Sequence, residues 1–202
     1  MAITINGSGS ITGITAGGYP DGTVTEDDLA STLDLTGKTV TLPSGTGGKI
    51  LQVVSTTKSD TFSTSSTDFV DVTGLSVSIT PLSTSNKILI LVNLTGDGTA
   101  SETRAVYRLV RGSTVIALGD TAGSRPRGFG GIYRPSDTNT VESISAAYLD
   151  SPASTSEQTY KVQASEANNT SSSVYVNRAA GWTDSAGHVA SISTITVMEV
   201  AA

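Results

Sequence analysis

The chain of 202 residues has no cysteine, one histidine and one tryptophan, and only 15% of its residues are charged and 5% aromatic. Without cysteine there is no disulfide, no thiolate nucleophile and no cysteine-based zinc site, so stability must come from packing, to which subunit association can add. The lone histidine, His188, leaves no His pair for zinc; beside Gly187 it reads as a plain loop histidine. No apolar run approaches the roughly 18 residues of a spanning helix, so no membrane insertion is expected. The opening MAITINGSGS lacks the basic start and apolar block of a signal peptide, and the expectation is a soluble protein made inside a cell.

A basic field is also missing. The net charge is −6, from 12 basic and 18 acidic residues. Phosphate neutralisation needs the opposite sign, so nucleic acid is not an expected partner. The charge is uneven: Asp21, Glu26, Asp27, Asp28 and Asp34 stand against Lys38 alone in residues 1–48, while every arginine lies beyond residue 103.

What the chain does have is Ser, Thr and 21 glycines, with 37% hydrophobic residues rich in Val and Ile. β-Branched side chains suit pleated surfaces, and strong helix formers are scarce. The organising stretch is residues 31–48, where Leu33, Leu35, Val40 and Leu42 form two short alternating pairs about Gly37-Lys38. Two short extended pieces around a tight turn fit that pattern. It divides an arm, residues 1–30, from a domain at 49–202.

In the arm, Ile3 and Ile5 alternate with polar residues, and Ile11 and Ile14 repeat the theme between glycines. These are too few apolar side chains to offset the entropy of ordering the backbone, so the arm is expected to gain order from a partner. Residues 25–30, TEDDLA, read as an N-capped helical turn or a solvated turn.

From Lys49 the chain reads as successive strands: residues 50–54, buried on much of both faces; 68–72; and 75–79, with Thr73-Gly74 as the turn between the last two. KILILVNLT at 87–95 reads as a central strand packed on two sides. TRAVYRLVR at 103–111 alternates and turns at Gly112-Ser113 into TVIAL, a hairpin. A long loop spans 119–139, and further strands are expected at 141–148, 158–165, 173–179 and 192–200. Nine or ten strands with no helical period predict an all-β fold, an antiparallel β-sandwich of jelly-roll type with an extended N-terminal arm and a short β linker.

Motifs for chemistry fail on inspection. Gly37-Lys38-Thr39 ends like a phosphate-binding loop, yet Thr32 stands where its first glycine should be; Gly48-Lys49 has Pro43 there and Ile50 in place of Ser or Thr. No Gly-x-Ser-x-Gly elbow occurs. Asp68 with Asp71, and Asp97 with Asp120, lack the spacing of a calcium loop, and no carboxylate pair is marked out for glycoside hydrolysis. No catalytic residue, metal site or cofactor is therefore expected. Phe129, Tyr133 and Trp182 lie in loops with Arg127, Arg134 and Arg178 nearby, a mixture that suits a glycan- or protein-binding surface but also a cap on the sandwich or a subunit contact. Arg104 and Arg108 share a strand face with Val106 and Val110, neither clean core nor clean solvent, and are expected at a subunit interface opposite acids of a neighbour.

The segments GKILQVVSTTKSDTFSTSSTDFVDVTGLSVSITPLSTSNKILILV, RLVRGSTVIALGDTAGSR, YLDSPASTSEQTYKVQ and STITVMEVAA resemble a recurrent C-terminal module of virion proteins in tailed bacteriophages, particularly marine ones, and LDLTGKTVTLPSG resembles the linker leading into it. The resemblance covers residues 33–202. It implies a β-sandwich that associates as a trimer at the ends of tail fibres and other appendages, with no shared catalytic motif. The expectation is thus a non-enzymatic virion structural protein assembled in the host cytoplasm: a short trimeric tail fibre or appendage. Ile3, Ile5, Ile11 and Ile14 would anchor it to other virion proteins, and Leu33, Leu35, Val40, Leu42, Arg104 and Arg108 would lie between subunits. Phe129, Tyr133, Arg134 and Trp182 would face a host glycan or protein. The alternative is a capsid decoration, cement or head-fibre protein.

Overall fold

The computed structural model describes residues 49–99, 103–134, 140–167 and 172–202. The arm at 1–30, its turn at 25–30 and the linker at 31–48 lie outside the described residues, and with them Ile3, Ile5, Ile11, Ile14, Leu33, Leu35, Val40 and Leu42. The described strands belong to one compact unit, Gly48–Ala202.

Eleven strands follow one another: β1 (Ile50–Lys58), β2 (Phe62–Thr64), β3 (Val70–Ile79), β4 (Lys87–Gly98), β5 (Thr103–Arg111), β6 (Thr114–Ile116), β7 (Gly130–Arg134), β8 (Glu142–Asp150), β9 (Gln158–Glu166), β10 (Val174–Val176) and β11 (Ser193–Val200). Every pairing is antiparallel. In the first sheet β4 is flanked by β8 on one edge and by β11 and then β10 on the other, with β1 outside β11 and β2 outside β10. In the second sheet β9 lies between β3 and β5, and the far edge of β5 takes β7 and β6 in turn.

The sheets face each other across a single apolar core. From the first come Ile88, Ile90, Val92 and Leu94 of β4 with Ile195 and Val197 of β11; from the second come Ala105, Tyr107 and Leu109 of β5 with Tyr160, Val162 and Ala164 of β9. Each set occupies alternate positions of its strand, as a period of two requires when one face is buried. Full burial of each large aliphatic side chain contributes roughly 1.5–3 kcal/mol. No buried side-chain nitrogen or oxygen among the described residues lacks a hydrogen-bond partner.

Three local expectations are corrected. Thr73-Gly74 does not separate two strands: β3 runs through it, and the register against β9 jumps between Asp71 and Ser76 while Gly74 takes φ +80°. A bulge that only glycine accommodates easily mimics a turn in the sequence. β1 is not buried on both faces, since it forms a sheet edge with Val53 56% exposed. The loop expected at 119–139 contains β7, which pairs with the first half of β5.

Candidate interaction surfaces

The outward face of the first sheet is apolar. Register sets Val53 opposite Met198, Met198 opposite Leu89, and Leu89 opposite Leu149, one row of four hydrophobic side chains across β1, β11, β4 and β8. The row belongs to the outer face because its neighbours one step along, Val54, Val197, Ile90 and Tyr148, point into the core or pack against it. Val53 and Leu149 are 56% and 47% exposed, and Met198 and Leu89 are half-buried by their neighbours. Leu91 and Ala147 extend the patch in the next outward row beside Ser55 and Thr196; the row after that, Thr57, Thr194, Asn93 and Ser145, is polar. β4 thus carries apolar side chains on both faces, and the outward ones, Leu89 and Leu91, are only half-buried in the single chain.

The outward face of the second sheet is mixed: Val106 and Val110 alternate with Arg104 and Arg108, and its charged groups find partners within the chain. Arg108 Nε donates to Gln163 Oε1 at 2.8 Å, and the guanidinium lies 3.9 Å from the centre of the Phe69 ring. Gln163 Nε2 and Lys161 Nζ donate to Asp71 at 2.6 and 2.7 Å. Burial raises the Asp71 pKa, but the Lys161 and Gln163 hydrogen bonds outweigh it and hold the carboxyl below its usual range. Arg108 thus has a stacking and hydrogen-bonding set within its own chain. Arg104, also outward on β5, lies 5.5 Å from the Tyr133 ring centre. Together with Arg125 and Ile132 these two line an open cleft of about 550 Å³.

A third surface is built by the segment between β10 and β11. Asn177, in the left-handed region at φ +62°, turns the chain out of β10. Its Nδ2 donates to the carbonyls of Lys58 and Asp60 at 2.8 and 2.9 Å. Its Oδ1 accepts from Ser193 Oγ at 2.6 Å and Thr95 Oγ1 at 3.1 Å. Asparagine tolerates this backbone conformation better than most residues, and its short amide can serve several strands at once. The next residue, Arg178, is held by the Ala179 and Ala180 carbonyls and stacks 4.3 Å from the Tyr175 ring centre and 5.5 Å from that of Trp182. Ala180 N donates to the buried Asp97 Oδ2 at 2.8 Å, fixing the far side of the turn. Beyond it Trp182, Thr183, Asp184, Ser185, His188 and Ala190 surround a hollow of about 420 Å³.

Of the aromatics singled out by sequence, Tyr133 and Trp182 are exposed while Phe129 is partly buried and packs against the core. Arg134 closes β7, and its side chain falls outside the described set. Trp182 and Tyr133 line separate hollows. Sequence reasoning missed the convergence of the single tryptophan and the single histidine, and the part played by Asn177. No three His, Asp or Glu side chains among the described residues gather as metal ligands. Comparison with known proteins finds no family model that matches the chain and no curated protein that matches it.

Proposed function

We propose that this chain is a structural protein of a bacteriophage particle, a short trimeric tail fibre or appendage whose N-terminal arm attaches to the virion and whose sandwich contacts the host surface. The observation that carries this reading is the outward row Val53, Met198, Leu89 and Leu149 with Leu91 beside it. An exposed apolar row crossing four strands of a sheet is unfavourable in water and is what a subunit contact covers. The resemblance of residues 33–202 to the virion module supplies the particle, and the trimer, as the setting for that contact.

Immunogold labelling and quantitative mass spectrometry of purified virions test the reading. Tens of copies or fewer, located on the tail, support an appendage. Hundreds of copies spread over the head would replace it with capsid decoration, and absence from particles would overturn the virion reading altogether. In the same assay, deletion of residues 2–18 should abolish incorporation while leaving a soluble, folded domain.

A further inference from the structure

The hollow beyond β10 gathers the only tryptophan and the only histidine of the chain against a carboxylate and two hydroxyls. We propose that it binds a hexopyranose unit of an uncharged glycan, with the Trp182 ring as the stacking face and Asp184, His188 and the Thr183 and Ser185 hydroxyls as partners for sugar hydroxyls.

Three features of the hollow select that chemistry. First, the ring is positioned in advance. The Arg178 guanidinium, 5.5 Å from the Trp182 ring centre, is itself stacked on Tyr175 and tied to two backbone carbonyls. Arg178 does not line the hollow, so it supports the ring from elsewhere and leaves Trp182, 41% exposed, available to a ligand. A supported ring loses little freedom on binding, which is the main cost an exposed side chain otherwise brings. Second, the polar groups are held by a compact turn. Ser185 N donates to the Thr183 carbonyl at 2.8 Å, His188 N to the Ser185 carbonyl at 3.0 Å, and Thr183 Oγ1 lies 3.2 Å from His188 Nδ1. Asn177 anchors the start of the segment and Ser193 Oγ, hydrogen-bonded to it, anchors the end.

Third, the lining excludes the competing ligands. Asp184 lines the hollow and no lysine or arginine does, so an anion is disfavoured, in keeping with the net charge of −6. Trp182 and Ala190 are the apolar residues there, and the carboxylate, imidazole and two hydroxyls around them suit an amphipathic ligand better than a wholly hydrophobic side chain. A pyranose presents one C–H face for an aromatic ring and a rim of hydroxyls that donate to a carboxylate and accept from an imidazole or hydroxyl. The volume of about 420 Å³ lies within the usual range for a small-ligand site.

The inference deepens the reading of an outward, host-contacting domain, and its test separates the two. Trp182 is the only tryptophan, so fluorescence excited at the red edge of the absorption band, where the six tyrosines hardly absorb, reports on the surroundings of this ring. Titration with gluco-, manno- and galacto-oligosaccharides should give a saturable change with at least one of them. By calorimetry, Trp182→Ala and Asp184→Asn should each weaken that binding about tenfold or more, equivalent to about 1.4 kcal/mol. Asp184→Asn should keep the wild-type Tm, Trp182→Ala should stay folded with only a small loss from the Arg178 contact, and Arg125→Ala should bind as wild type. The proposal is overturned if none of these sugars changes the fluorescence, if binding survives both substitutions, or if oligogalacturonate binds in their place. Failure here with the protein present on virions removes the site and keeps the particle assignment; binding with the protein absent from virions does the reverse.

Discussion

The Arg111 guanidinium of the second sheet donates to Asp150 Oδ2 of the first at 2.7 Å, and the Tyr160 hydroxyl donates to the same oxygen at 2.8 Å. The three side chains tie β5 and β9 to the end of β8 across the rim of the core. Asp150 is 7% exposed and Arg111 23%, so this is a largely desolvated pair, and removing one partner leaves a charge without compensation. Arg111→Ala should cost about 3 kcal/mol in urea unfolding, whereas Arg111→Met with Asp150→Leu should cost much less. Burial, and then Asp150, push the Tyr160 hydroxyl well above the usual tyrosine range. Its contribution to stability is complete below the unfolded-state value near pH 10 and is lost as pH rises toward the folded-state value. Spectroscopic titration should therefore show Tyr160 ionising with alkaline unfolding rather than before it, and Tyr160→Phe should flatten the alkaline limb of stability.

Glu199 contributes to the acid limb. It is fully buried, and it accepts from Asn86 Nδ2 at 2.6 Å, Gln52 Nε2 at 2.6 Å and Leu82 N at 2.7 Å. Burial raises its pKa, but these hydrogen bonds more than compensate, and the carboxyl stays below its ordinary 4.5. A depressed folded-state pKa contributes stability that is present above about pH 4.5 and lost as pH falls through the folded value. Glu199→Gln turns an NH₂ group toward a set of donors, so it should cost about 1–3 kcal/mol at neutral pH and weaken the pH dependence in that window. An unchanged acid-unfolding midpoint and slope would count against this role.

Asn177 should be the least replaceable residue of the β10–β11 connection. Asn177→Ala removes the hydrogen bonds to Lys58, Asp60, Thr95 and Ser193 and puts alanine, which tolerates the left-handed region less well than asparagine, at φ +62°. Asn177→Gly keeps the backbone and loses only the bonds. Thermal unfolding should rank wild type above Gly and Gly above Ala, with a loss of about 2–4 kcal/mol for Ala. Equal stability of the two variants would mean that the strain relieved by glycine is no larger than the extra entropy glycine gives the unfolded chain.

These residues also show where the sequence was legible. The hairpin of β5 and β6 could be read because the alternation of TRAVYRLVR is local and Gly112, at φ +57°, sits between the paired strands. β4 and β11 could be read because an apolar run needs no knowledge of its partners. β7 could not: GGIYR carries two glycines and one buried side chain, and its strand character comes from β5 alone. A Cβ on Gly131 would meet the Ala105 carbonyl oxygen at 2.7 Å, so glycine is a condition of that close approach, although in sequence it signals a loop. Glu199 and Asn177 were invisible for the same reason, since their partners Gln52 and Lys58 lie 147 and 119 residues away. The site at Trp182 was half visible: the aromatic stood out, but only folding brings His188 and Asp184 to its hollow. A subunit contact was expected on the arginine face of β5, an expectation that a single chain does not test; the exposed apolar row is on the other sheet and had no sequence signal of its own.

That row leads to the last prediction. Met198 and Leu89 sit at the middle of the outward row, each between two hydrophobic cross-strand neighbours, while Val53 and Leu149 stand at its ends. If the row is the subunit contact, its middle is the desolvated part, where a charge is most costly and where truncation has the largest effect. Met198→Glu with Leu89→Glu should convert the proposed trimer to monomer in light scattering, and Val53→Glu or Leu149→Glu alone should only weaken it. None of the four side chains belongs to the buried core, so each variant should retain its β-sheet circular dichroism as a folded monomer. Charge reversal of Arg104 and Arg108 separates this surface from the other sheet. Dissociation by the arginine pair, with the Met198 and Leu89 variant still trimeric, would move the contact to the face of β5.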